Sequence, residues 1–578
     1  MPPETLSEFR TERLAPQVDA RPVTYDAFPV QSAFVGDSDV GGQPQFYLNA
    51  DARVGVADNG KPSFTIDQAA FQIVGGGPGW SRALGVGFTV TYGFRASEPA
   101  TMPEDAGGFV RFSQAQIDQA ELAMKGWSDA ANIHFLRVGS GDTGEAAYSN
   151  QATILLANYT TGVAGAAAFG MYPGNTGFNS SSGDVWINSS ISYNANPVMG
   201  GYGVQVLVHE LGHAIGLSHP SDYNAGDGVV ITYSADASYF EDSRQYTVMS
   251  YFNENNTGGN YGPRYAAAPQ LDDIAAVQLE YGANMTTRTG DTVYGFNANA
   301  DAPWFIASSS SSKLIMAVWD AGGNDTFDFS GYFNNQLIDL RAGFFSNVGG
   351  LVGNVAVAAN VTIENAVGGS GADVIHGNAA GNTINGGAGA DTLDGGAGGA
   401  NRLWGDDGAD SITGGANFDD INGNMGNDSV HGGLGDDWIS GGKDHDVLFG
   451  DDGDDVVYGN IGNDTLDGGA GADLVRGGQD NDVLTGGAGD DWLSGDRGSD
   501  TITGGSGADL FHTFGEAGLD QITDFNRAEG DRVLLDPGTV YTVSQVGADT
   551  VINMTGGGQM VLLGVQMSTL TPGWIFGA

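Results

Sequence analysis

The chain has 578 residues, and 70 Asp and Glu against 21 Lys and Arg leave a formal charge of -49, which excludes the basic face that nucleic-acid binding requires. Gly is in excess at 95 residues and Cys is absent, so the chain can build neither a disulfide framework nor a thiolate zinc site nor a cysteine nucleophile. No uncharged run is long and apolar enough to span a bilayer.

In chain order, residues 1–50 are polar and weakly patterned, as in a leader or propeptide. The opening MPPETLSEFRTERLAPQV lacks the apolar stretch of a secretory signal, so any export is expected to proceed without a cleaved N-terminal signal peptide. Residues 51–283 read as a mixed α/β domain. A helix is predicted near 113–129, with Ser113 and Gln116 forming a capping box, followed by strand-like NIHFLRV and ATILLANY. A second helix is predicted over 203–215, where Val204, Leu207, Val208, Leu211 and Ile215 make one apolar stripe and Gly216 ends it. A third is predicted over 269–281.

Residues 284–365 form a junction and the start of a β domain. From 366 to 512 the sequence repeats every nine residues as G-G-x-G-x-D-x-U-x, with U a large apolar residue such as Ile412, Ile421, Ile439, Leu448, Leu466 or Leu484. The sixth position is Asp at 410, 419, 428, 437, 446, 455, 464, 473, 482, 491, 500 and 509; upstream it is Asp at 373 and 391 but Asn at 382 and 401. A fixed short period implies a solenoid. Gly permits positive φ and turns carbonyl oxygens inward, Asp adds a carboxylate, and U fills the core; oxygen-only ligands suit Ca²⁺. Two units per coil give a parallel β-roll. Residues 513–578 leave the repeat and read as a capping β segment.

The chemistry lies at 209–219, HELGHAIGLSH. On a helix, His209 and His213 are four residues apart and share a face, and Gly216 lets the chain turn so that His219 joins them; three imidazoles with a position left for water fit catalytic Zn²⁺. Glu210, beside the first of them, is the candidate general base. Residues 247–252, TVMSYF, follow. By themselves Met249 and Tyr251 read as a core methionine and a half-buried aromatic.

The extended zinc motif followed by a Met-containing turn resembles the metzincins. With LSHPSDYNAG, TVMSY, LDDIAAVQLEYGANMTTRTGDTVYGF and WDAGGNDTFDFSG, the chain is similar to serralysin-type proteases carrying RTX-type calcium repeats. The resemblance implies an α+β zinc-protease domain followed by an all-β parallel β-roll. It also implies a secreted bacterial endopeptidase acting on proteins or peptides, with Met249 as a floor beneath the zinc and Tyr251 as a displaceable ligand that stabilises the oxyanion. Substrate would add as a strand at a sheet edge, with 166–173 and 183–188 as candidates. Asp291, Asp320 and Asp325 look like a further calcium site at the junction. The repeats resemble those of proteins exported by one-step ABC-type machinery with an uncleaved C-terminal signal. A monomer is expected. The alternative from another class is a calcium-dependent adhesin or surface-layer component with a silent protease domain.

Overall fold

The computed structural model describes the backbone of Tyr25–Pro29 and residues 47–577 apart from 76–78, 104–105, 140, 142, 163–165, 178–179 and 225–229. Most of the 1–50 leader segment therefore lies outside the described residues.

The N-terminal part is a six-stranded sheet, with strands β1 (Tyr25–Pro29), β2 (Phe88–Phe94), β3 (Ile133–Arg137), β4 (Ile154–Tyr159), β5 (Ala166–Met171) and β6 (Val185–Asn188) in the order β1-β5-β6-β4-β2-β3. β2, β3, β4 and β6 run parallel, while β5 is antiparallel to β6 and β1 is antiparallel to β5. Four helices matter for the site: α1 (Ile66–Val74), α2 (Gln114–Ala130), α3 (Tyr202–Ala214) and α4 (Leu271–Tyr281).

The predicted capping box is present on α2, with Gln116 N–H donating to Ser113 Oγ and Ser113 N–H to Gln116 Oε1. α4 is capped by Gln270, whose N–H donates to the Asp273 carboxylate at 2.8 Å. All thirteen residues of α3 are buried. It lies under β5 and against α2, and Trp127 Nε1 of α2 donates to the Val208 carbonyl at 3.1 Å. A helix with no solvent face can carry His and Glu only where each has a partner or a ligand.

From Val293 the chain winds into two parallel sheets of 13 strands each. Pairing offsets of 18 residues, as in Arg402 with Asp420 and Ser411 with Ser429, confirm two nine-residue units per coil. The sheets begin upstream of the repeat pattern, with Val293–Gly295 and Thr326–Asp328 heading one and Leu337–Asp339 the other. Strand pairing needs no Gly-Asp turn, so the repeat marks the turns and not the extent of the ladder. The U residues, including Ile412, Ile421, Ile439, Leu448, Leu466 and Leu484, form a file of buried side chains between the sheets. Residues 513–578 add strands to both sheets and end one of them in an antiparallel hairpin, Tyr541–Val546 with Asp549–Met554.

Candidate metal centre and its surroundings

α3 brings His209 and His213 to one face. The chain turns at Gly216, with φ of +115°, and carries His219 back to them. The three Nε2 atoms stand 3.0, 3.2 and 3.2 Å apart. A tetrahedral ion with Zn–N bonds of about 2.0–2.1 Å separates its nitrogens by roughly 3.3 Å, so the spacing fits one zinc ion. Each Nδ1 faces a backbone carbonyl: His209 that of Val248 at 2.8 Å, His213 that of Leu217 at 2.7 Å, His219 that of Tyr223 at 2.8 Å. A carbonyl only accepts, so each Nδ1 carries the proton and each Nε2 presents a lone pair to the common point. Burial, then the neighbouring His213 and His219, hold His209 well below its usual pKa, keeping it in the neutral form a metal needs.

The supporting carbonyls are themselves fixed. Asp273 of α4 accepts from Thr247 Oγ1 at 2.5 Å and Val248 N–H at 2.7 Å, which sets the turn whose carbonyl holds His209. Asp242 accepts from Ser221 at 2.6 Å, Tyr223 at 2.8 Å and Ser250 at 2.7 Å, joining the loop that carries His219 to the turn that carries Tyr251. Burial pushes Asp242 up to about 6 against those three hydroxyl bonds. The sequence reading missed Asp242 and Asp273, and a single sequence holds no signal for them, because both act across the fold.

Glu210 is fully buried beside the triad. Gly170 of β5 explains the fit: a Cβ there would stand 2.7 Å from the Glu210 carbonyl and 3.1 Å from Glu210 Oε2. The Tyr251 ring lies 4.4 Å from that of His219 and 5.7 Å from that of His209. The Met249 thioether packs beneath α3 at Gly212, where a Cβ would run into its sulfur. Met249 is thus buried core packing beneath the helix that carries His209 and His213. Of the two candidate strands, β6 is internal, between β4 and β5, while β5 faces the sheet edge and, among the described residues, pairs there with β1 alone. The register sets Asp26 opposite Gly170 and Tyr25 opposite Met171.

The fourteen Asp residues singled out in the repeats form two ladders, one along each edge of the roll. In each, a main-chain N–H donates to Oδ1 one coil on, as from Asp428 to Asp446 at 2.9 Å and from Asp437 to Asp455 at 2.7 Å. Asp410, Asp464, Asp482 and Asp500 continue the first ladder, and Asp419, Asp473, Asp491 and Asp509 the second. Oδ2 of Asp391, Asp410, Asp419, Asp428, Asp437, Asp446, Asp455, Asp464, Asp473, Asp482, Asp491 and Asp500 is buried and makes no hydrogen bond. Asp373 differs, since its Oδ2 accepts from Gly369 N–H and Gln336.

Each orphaned oxygen faces a cradle. A Cβ on Gly432 would stand 2.5 Å from Asp437 Oδ2 and 2.7 Å from the carbonyl of Gly450 one coil on. A buried carboxylate oxygen without a partner and a converging carbonyl are oxygen donors of the kind that Ca²⁺ takes. At the junction, Asp325 accepts from Thr292 N–H at 2.8 Å, Asp320 from Tyr294 at 2.6 Å and Asp291 from Asn324 N–H at 3.0 Å. Glu364, absent from the sequence reading, joins them by accepting from Asp325 N–H at 2.7 Å. Asp325 Oδ2 is orphaned like the roll aspartates, and burial pushes Asp325 up to about 7.

Comparison with known proteins places both halves. Residues 119–260 match the family described as metallo-peptidase family M12, and residues 283–536 match the peptidase M10 serralysin C-terminal family. The chain is 50% identical over 323 residues to Serralysin C of Dickeya chrysanthemi, covering 56% of this chain and 66% of that protein. It is 48% identical over 335 residues to the metalloprotease AprA of Pseudomonas entomophila, covering 57% and 67%. The alignments thus span about two thirds of the relatives' length. The crystal structure of the extracellular lipase LipA from Serratia marcescens matches 38% of this chain and 41% of its own at 18% identity with a TM-score of 0.19, too low to carry a likeness of fold.

Proposed function

Because the chain belongs to the serralysin family of metallopeptidases, we propose that it is a secreted zinc endopeptidase whose roll is held by calcium. The observation that carries the reading is the convergence of three lone-pair Nε2 atoms within 3.2 Å of one another beside the buried Glu210.

His209, His213 and His219 would hold the zinc, which when bound acidifies a water and polarises the scissile carbonyl. Glu210 takes the proton of the attacking water on its carboxylate and passes it to the leaving amine. The Tyr251 hydroxyl donates to the oxyanion as the carbonyl carbon becomes tetrahedral. Substrate is extended along β5, where main-chain pairing places a peptide bond against Glu210 irrespective of most side chains. The antiparallel pairing of Tyr25–Pro29 with β5 supports this, since it is extended polypeptide at that edge. The Gly170–Glu210 contact puts the base beside it.

The roll Asp residues would bind Ca²⁺ through their orphaned Oδ2 atoms, as would Asp291, Asp320 and Asp325 with Glu364. Calcium is scarce in cytosol and plentiful outside, so this dependence suits export as an unfolded chain through ABC-type machinery and folding after release. Casein hydrolysis in calcium tests the reading: 1,10-phenanthroline should abolish it and added zinc restore it, whereas activity persisting with zinc stripped would refute it.

A further inference from the structure

The two faces of the roll are not alike. Between 366 and 512 the chain has four cationic Lys and Arg side chains, Arg402, Lys443, Arg476 and Arg497, and all four lie on strands of one sheet. Along that sheet, Met425, Lys443, Ile461, Gln479 and Arg497 are consecutive rungs at one register position. The matching positions of the opposite sheet hold Leu434, Asp452, Ala470, Ala488 and Ser506. Long side chains therefore raise a wall on one face alone.

Facing it across the same strands stands a second file that includes Tyr458 and Arg476. Between the two runs a floor kept low by Gly442 and Gly478 and by Asn424 and Asn460, whose φ values of +73° and +78° turn the strand away. The result is a straight open groove of about 1170 Å³ reaching from Asn422 to Phe514.

We propose that this groove binds a linear, carboxylate-bearing polysaccharide. Lys443, Arg476 and Arg497 line it in a chain of net charge -49. Lys443 makes no ion pair among the described residues, and Arg497 reaches only Glu516, at 4.0 Å. Arg476 is shared with Asp496 at 2.7 Å. Two carboxylates also line the groove, Asp496 against Arg476 and Asp536 against His512, and between the cations stand amides and a hydroxyl, Asn422, Asn460, Gln479 and Ser440, which pair with sugar hydroxyls in either sense. Tyr458 adds an aromatic ring.

Periodicity selects a glycan over a peptide. Rungs recur every ~4.8 Å along the groove, close to the advance of one pyranose in a linear chain, whereas an extended peptide advances ~3.3 Å per residue and falls out of step. The floor's main-chain groups are already committed to the parallel ladder, so a peptide would gain no strand pairing there. Recognition is left to side chains at positions that recur at the sugar interval, with the wall cations Lys443 and Arg497 three rungs apart.

The test uses the full chain in calcium, with oligoglucuronate and hyaluronan decasaccharides as probes, maltodextrin as the neutral control and poly-L-glutamate as the peptide control, read by isothermal titration calorimetry at two salt concentrations. Both acidic glycans should bind, more weakly at high salt, and better than either control. Lys443→Glu, Arg497→Glu and Tyr458→Ala should each weaken binding about tenfold or more while casein hydrolysis and the calcium-dependent circular dichroism stay unchanged. Absence of binding by both glycans, equal binding of poly-L-glutamate, or binding indifferent to the three substitutions in folded protein would overturn the proposal.

Discussion

The protease domain and the roll both bury many carboxylates, and they satisfy them in different ways. Asp272 receives two guanidinium nitrogens of Arg53 at 2.7 and 2.8 Å, Asp273 takes a hydroxyl and two main-chain N–H groups, and Asp242 takes three hydroxyls. In the roll, Oδ1 of each Asp accepts one N–H and twelve Oδ2 atoms accept nothing. A buried charge without a partner costs several kcal/mol. The protease domain therefore satisfies these three carboxylates from its own side chains and main chain, whereas on the proposed reading the roll would take an outside cation. The same polar inventory makes one half preorganised and the other conditional.

The sharpest break of that contrast is selective chelation. At pH 8, EGTA should erase most of the β signal in circular dichroism of the full chain and calcium, but not magnesium, should restore it. 1,10-Phenanthroline, removing zinc alone, should leave the spectrum nearly unchanged, because the His ring nitrogens other than the three Nε2 are already bonded. A full β spectrum in EGTA would mean that the roll folds on its apolar file alone.

Next in size is the loss of the proposed base. Glu210→Ala removes no metal ligand, so zinc content should remain close to one per chain while peptide hydrolysis falls by about 10³-fold or more. Substantial activity in the zinc-loaded variant would assign the proton transfer to another group.

The third effect concerns pH in calcium-free protein. Burial, followed by neighbouring aspartates, pushes Asp437, Asp446 and Asp473 up to about 7 and Asp482 up to about 8, against about 3.9 for an unfolded Asp. Between those values the folded roll binds more protons than the unfolded chain, so its stability falls as pH rises and is lost through about pH 6–8. The β signal in EGTA, largely lost at pH 8, should return as the pH falls to 5. A β signal in EGTA that grew with rising pH would show that the ladder carboxylates are stabilised as anions without metal.

What could be read from the sequence was what is local or periodic. His209, Glu210 and His213 are fixed by helical spacing, and one turn at Gly216 adds His219. The Asp files follow from a nine-residue repeat, and β5 appeared as a candidate edge. Gly170 against Glu210 joins residues 40 apart in sequence, Asp273 reaches Val248 from another helix, and Glu364 joins Asp325 across a coil. These contacts depend on how elements pack, which no local pattern encodes. The groove was hidden for a different reason: its walls occupy the variable x positions of the repeat, and they become a file only once two units are known to make one coil.

The smallest effect sits where the two modes of satisfaction meet. At 382 and 401 the ladder carries Asn, and the fold treats these rungs as the protease domain treats its aspartates. Asn382 N–H donates to Asn401 Oδ1 at 2.9 Å and Asn401 N–H to Asp419 Oδ1 at 2.7 Å, so the ladder continues unbroken. The second atom is now a donor: Asn382 Nδ2 reaches the Glu364 carbonyl at 3.0 Å and Asn401 Nδ2 the Gly414 carbonyl at 3.4 Å. An amide thus occupies a carbonyl that would otherwise face a cation and brings no charge of its own. Asn401→Asp should convert the rung to the conditional kind, adding about one calcium per chain in equilibrium dialysis and lowering stability slightly in EGTA, with protease activity in calcium unaltered. Asp464→Asn should do the reverse, removing about one calcium and easing the EGTA-induced loss. Calcium stoichiometry unchanged in both variants would mean that the orphaned Oδ2 atoms are not what the cation binds.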